Sequence, residues 1–194
     1  MVKDMNLEFD GRKNSMVEWQ MSFPAFVRSF YDHIYENSHI PNQQQLFDYY
    51  LDNNEGNKTI DGLTSEQFKG LRSRIYRALP SYVRDIHFAK MVDKGTNFNV
   101  ATSIDLDMNQ GVDILIQENQ FKYSINLYVD TQRSKVARYK KEDRHDKDSD
   151  YIDIEFPISF EKAKGVGDFY LYGEGQLVKL LNVMLNSQHE MVVH

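Results

Sequence analysis

The chain has no cysteine, only four prolines, a single tryptophan and no apolar run long enough to span a bilayer. Without cysteine there is no disulfide scaffold, thiolate nucleophile or Cys-ligated zinc, and a reducing cytoplasm is the natural compartment. A membrane helix needs about 18 consecutive apolar residues. The N-terminal MVKDMNLEFDGRKNS carries charges where a signal peptide would need its apolar core. The chain is therefore expected neither to cross nor to enter a membrane. Few prolines, ten glycines and no repeat period exclude collagen, solenoids and low-complexity linkers. The histidines at 33, 39, 87, 145, 189 and 194 show no zinc spacing, and no serine lies in a G-x-S-x-G elbow. The glycine pairs Gly165/Gly167 and Gly173/Gly175 complete neither a dinucleotide fingerprint nor a Walker loop.

What is present suits one ordinary domain or two small ones: 194 residues, 41% hydrophobic, with 12 Tyr and 12 Phe to fill a core. The net charge of -6 hides an uneven distribution. Residues 32 to 66 hold seven acids and one lysine; residues 68 to 94 hold seven basic residues and two acids; residues 131 to 147 hold seven basic and three acidic. Basic patches of this kind contact phosphate even in an anionic protein, and solvated helix faces produce the same pattern.

Apolar residues at three- and four-residue spacing predict a helix from Met16 to Glu36, including Phe23, Phe26, Phe30 and Ile34. Pro41 breaks it and Asn42 caps a second helix over 43–51. Thr64-Ser-Glu-Gln67 has capping-box form and opens a third, with a kink or restart expected at Pro80 before it ends near Met91. After Gly95 the period changes to alternation. Strands are expected over 98–106, 112–116 and 121–129, with Gln117 to Gln120 as a hairpin turn. A basic helix over 133–141, strands over 151–156 and 168–172, and a last helix capped near Gly173 to Gly175 complete the order. The fold class expected is α+β, a helical subdomain at 1–94 followed by a mixed-sheet domain at 95–194.

The segment from Gly111 to Val129 places Asp113 on a strand, then a turn, then a second hydrophobic strand and a basic helix. This resembles the PD-(D/E)XK, or restriction-endonuclease-like, superfamily over about residues 82 to 156. The resemblance implies a helix before three strands, an acid on the second, an acidic-x-Lys triplet on the third, and a Mg²⁺ held between them. Magnesium wants hard carboxylate oxygens, and the lysine supports the attacking water or the developing phosphate charge. Asp113 matches the first position, whereas the acid and lysine positions read Ser124 and Asn126, which are neutral. Asp105 and Asp107, sharing a strand face, or Glu118 and Lys122 near the turn, are the candidates to replace them. The bland alternative makes Asp113 a strand-start residue and Asp105/Asp107 a solvated face. Asp153 and Glu155, alternating on the later strand, read the same way.

The stretch from Pro41 to Arg77 resembles the second and third helices of a helix-turn-helix unit, with Lys69, Arg74, Arg77 and Arg84 opposite the apolar stripe and facing solvent. A second basic set is Arg133, Lys135, Arg138, Lys140, Lys141 and Arg144. Two functions follow. One is a nucleic-acid-associated protein with an inactive nuclease-like core, without a cofactor unless Mg²⁺ serves an active site. The other is an acidic interaction protein, of the kind phages use against host nucleases, whose partner is a nucleic-acid-binding protein. Reversing Arg138, Lys140 and Lys141 to Glu tests the second basic set. If it contacts phosphate, affinity for labelled DNA falls with an unchanged melting temperature, and the salt slope shrinks by about one unit per lost contact.

Overall fold

The computed structural model describes residues 2–8, 13–106, 111–131, 150–159 and 163–192. Its elements are α1 (Ser15–Trp19), α2 (Phe26–Asn37), α3 (Gln43–Asp52), α4 (Lys58–Asp61), α5 (Ser65–Gly95), β1 (Asn99–Ala101), β2 (Ile114–Glu118), β3 (Phe121–Val129), β4 (Ile152–Ile158), β5 (Lys164–Val166), β6 (Phe169–Leu171) and α6 (Glu174–Val192). The fold is α+β, as the change of period at Gly95 implies. Two compact units result, Met1–Val83 with Val166–Phe169, and Arg84–Gly165 with Tyr170–His194.

In the first unit the helix expected over 16–36 is two helices. Asn14 Oδ1 accepts from the amides of Met16 (3.1 Å) and Val17 (3.3 Å) to start α1, and α1 stops at Trp19. Pro24 explains the break: it disfavours helical geometry at Phe23 and has no amide to donate. The apolar stripe runs on regardless, because both helices bury the same kind of face. Ser38, left-handed at φ 58, ends α2, and Asn42 with Gln45 forms a reciprocal capping box on α3. Asn57 caps the short α4, and Thr64 with Gln67 caps α5 as its sequence suggests. Leu71, Ile75, Leu79 and Val83, one turn apart on α5, are fully buried, as are Phe30, Leu46 and Tyr50. Phe26 meets Tyr50 edge-on at 5.1 Å. A Cβ on Gly70 would lie 2.6 Å from the Asn14 Cβ, so this helix-weakening residue is what admits the close approach of the α1 cap.

Helix α5 passes through Pro80 instead of restarting there. Proline cannot donate to the carbonyl four residues back, at Tyr76. Gln43 Nε2, on a residue 5% exposed, donates to that carbonyl at 3.1 Å. The same carboxamide also bonds both backbone groups of Glu8, accepting from its amide at 2.6 Å and donating to its carbonyl at 3.1 Å. Residues 166–169 join this unit because Asp168 Oδ2 accepts from the Leu7 amide at 2.9 Å.

The second unit is built on a four-stranded sheet in the order β1-β2-β3-β4, antiparallel except for the parallel pair β3 and β4. The strand expected over 98–106 ends at Ala101. Residues 104–106 are helical, with Ser103 Oγ accepting from the Leu106 amide at 3.2 Å. Asn119, at φ 54, makes the tight two-residue turn between β2 and β3. One sheet face, including Ile114, Ile116, Tyr123, Ile125 and Phe156, packs against Phe88 and Val92 of α5 and Leu180 and Met184 of α6. Phe88 stacks on Tyr172 at 4.4 Å. The strand expected over 168–172 is β6, and it pairs with β5, for which the sequence carries no strand signal, in a two-stranded sheet.

Removing Gln43 frees two backbone groups of Glu8 and the carbonyl of Tyr76. Gln43→Leu is expected to cost about 1–3 kcal/mol in urea unfolding, the penalty of the one buried group, the Tyr76 carbonyl; the Glu8 groups are only part-buried and can turn to water. In a Pro80→Ala background residue 80 has an amide again, so the same substitution should cost measurably less. A double-mutant cycle with no coupling would sink the assignment.

Candidate functional site

The sheet face away from the apolar core carries a polar row set by strand alternation and parallel register. Ser124 and Asn126 of β3 lie opposite Asp153 and Glu155 of β4. Ser124 Oγ donates to Asp153 Oδ1, and Asn126 Nδ2 donates to Glu155 Oε1 at 3.2 Å. Ser124 and Asn126 are buried, and Asn126 Oδ1 has no hydrogen-bond partner among the described residues. Asp113 precedes β2, where its Oδ2 accepts from the Leu127 amide at 2.5 Å and its own amide donates to Ile125 at 3.2 Å. It clasps the open end of the hairpin. Asp105 lies in the helical stretch 104–106 and not on a strand face, and Asp107 falls outside the described residues. Among the described residues no group of three or more His, Asp or Glu side chains lies close enough together to hold a metal ion. Asp153 and Glu155 are exposed, as the alternation along their strand implies, and the parallel register with a strand 29 positions away sets them beside Ser124 and Asn126.

Lys69 and the arginines of α5 are engaged within their own units. Lys69 pairs with Glu66 at 2.9 Å on the surface. Arg74 Nη1 donates to the Val17 carbonyl at 2.5 Å and stands 5.3 Å from the Phe26 ring centre. Arg77 pairs with Glu18, whose side chain is only 8% exposed. Arg84, expected on a solvent face, is 6% exposed and donates to the Tyr170 carbonyl at 3.0 Å. Arg72, not singled out from the sequence, donates to Gln44 Oε1 at 3.1 Å and the Tyr76 hydroxyl at 2.9 Å, near Glu8 at 3.6 Å. The second basic set, Arg133, Lys135, Arg138, Lys140, Lys141 and Arg144, lies outside the described residues.

The acids behave differently. A concavity of about 600 Å³ in the first unit is lined by Leu51, Ile60, Leu63 and Phe68 on its apolar side and by Asp52, Glu55 and Asp61 among its polar residues. The three carboxylate residues are exposed, and none forms an ion pair among the described residues. Phe68 is 38% exposed despite its size. Carboxylates around a concave apolar wall concentrate negative potential, because the low-dielectric wall does not screen them as water does. Such a site suits a cationic side chain whose aliphatic stem lies on the floor. In sequence it showed only as the acidic excess of residues 32 to 66.

No family model, curated protein or solved structure matches the chain. Among the described residues no helix is long and apolar enough to cross a membrane. The clasp made by Asp113 yields a direct expectation. Asp113→Ala should lower unfolding stability by about 1–3 kcal/mol, since it leaves the Leu127 amide without its charged acceptor. The loss should be equal with and without Mg²⁺ in urea titrations; a Mg²⁺-dependent difference would instead mark Asp113 as a ligand.

Proposed function

We propose that this chain is an acidic interaction protein whose helical unit takes a basic, partly apolar segment of a nucleic-acid-binding protein. The observation that carries the reading is the concavity rimmed by Asp52, Glu55 and Asp61, unpaired among the described residues, while Lys69, Arg72, Arg74 and Arg77 are engaged elsewhere in the same unit. Charge of this sign steers a basic partner and competes with phosphate for it. The apolar floor of Leu51, Ile60, Leu63 and Phe68 adds the burial that a surface ion pair lacks. A labelled Arg/Lys-Leu peptide of about twelve residues is the probe. Binding should shift amide resonances of residues 51–68 and weaken as salt rises. Asp52→Lys with Glu55→Lys and Asp61→Lys should weaken it about tenfold or more with little change in melting temperature, taking about 0.3–1 kcal/mol per exposed pair. Equal affinity in the triple variant would refute the reading.

A second reading has its own support. The order of α5, an antiparallel β1-β2-β3, a crossover and a parallel β4 fits the nuclease-like core, with Asp113 at the hairpin. On this reading the protein contacts nucleic acid without cutting it, because Ser124 and Asn126 stand where a carboxylate and a lysine would act. Titration with duplex and single-stranded DNA and RNA should show salt-sensitive binding and no cleavage on adding Mg²⁺. Cleavage abolished by Asp113→Asn would show an active site instead.

A further inference from the structure

The link between α2 and α3 gathers rings and titratable groups that the docking reading leaves unused. His33, near the end of α2, is 6% exposed, and its Nδ1 is buried without a hydrogen-bond partner among the described residues. Its ring meets His39 at 5.0 Å and 85°, and Tyr49 of α3 at 5.2 Å and 77°. The left-handed Ser38 makes this possible, because it ends α2 and turns the chain so that His39 returns over His33. His39 is itself exposed, with Nδ1 3.0 Å from the Asn37 carbonyl. Thus one imidazole is largely buried between α2, the link and α3, and a second can reach solvent.

Protonating Nδ1 of His33 would put a charge, and an N–H with no hydrogen-bond partner among the described residues, in a largely buried site. The charged and titratable groups facing it are Glu36 on its own helix, His39 in the link and Tyr49 on α3, with Asp32 acting on Tyr49. Burial and then His39 hold the His33 pKa below its usual range, while a bond to the His39 backbone and the charge of Glu36 oppose them more weakly. Burial likewise raises the Tyr49 pKa and keeps that ring neutral.

We propose that His33 is a proton-operated latch between α2 and α3, whose opening also withdraws Leu51 and Asp52 of α3 from the acidic concavity. The sign follows from linkage. The closed form resists the proton and the opened form takes it up at the ordinary histidine value of about 6.5. The closed state is therefore fully favoured above that pH and loses ground as pH falls through it toward the lower closed-state value. The opening constant rises by up to about tenfold per pH unit in that window. The pocket half of the proposal rests on the docking reading, whereas the latch does not.

The test uses the full ¹⁵N-labelled chain without any partner, from pH 7.5 to 5.5, so a failure of the latch is distinguishable from a failure of docking. Amides of residues 26–52 should change below pH 6.5, and those of 51–68 should follow with the same midpoint. His33→Phe should abolish both changes. His39→Ala should raise the pH at which the His33 imidazole titrates and weaken the opening, because the closed form then keeps its proton more easily. His87→Phe is the control, since His87 also has a lowered pKa, through burial and Lys164, but belongs to the other unit. An acid response that persists in His33→Phe overturns the latch, as does ordinary titration of His33 with motionless helix amides. If His33→Phe does not fold, an unchanged response in His39→Ala overturns it. Helix amides that move while residues 53–68 do not would overturn the link to the pocket.

Discussion

The helical unit depends on one carboxamide. A proline in the middle of a 31-residue helix removes a donor from a buried stretch of backbone, and a helix in that position ordinarily bends or ends. Gln43 supplies the missing donor from a neighbouring helix and uses its remaining capacity to fix the backbone of Glu8. The N-terminal segment, α3 and the middle of α5 are thereby joined through a single side chain. The Tyr76 ring next to this join is held as well, its hydroxyl donating to Gln44 at 2.7 Å and accepting from Arg72 at 2.9 Å. A buried amide with both donors and its carbonyl engaged favours one arrangement over its neighbours more than it adds bulk stability.

The same unit sorts its charges. Arginines that a helical wheel assigns to solvent are drawn onto carbonyls, rings and one largely buried glutamate, where a planar fork forms several bonds at once. The carboxylates of α3, α4 and the loop between them have no such internal use. Asp52, Glu55 and Asp61 thus make a local anionic surface.

How much of this the sequence reveals depends on the range of each interaction. The caps at Asn42 and Thr64 and the extent of β3 rest on contacts within a few residues, and they are legible. The break at Pro24 was hidden because the apolar spacing of α2 continues back across it. The early end of β1 was hidden because alternation through Ile104 and Leu106 imitates a strand while Ser103 starts a helical turn. The site was harder to read. Neither the pairing of Asp153 and Glu155 with β3 nor the engagement of Arg74, Arg77 and Arg84 follows from spacing, since each depends on what another element brings across the chain.

The mixed sheet also combines a local closure with a distant one. β2 and β3 are joined by two residues and can close locally, whereas twelve residues separate β1 from β2. β4 pairs with β3 in parallel, with Ser124 and Asp153 29 positions apart, and must close a much larger loop before any of its bonds form. Until it arrives, the edge of β3 exposes unpaired amides along its most apolar stretch. That interval, and not the finished fold, is when the chain is most open to pairing with another copy of itself during synthesis.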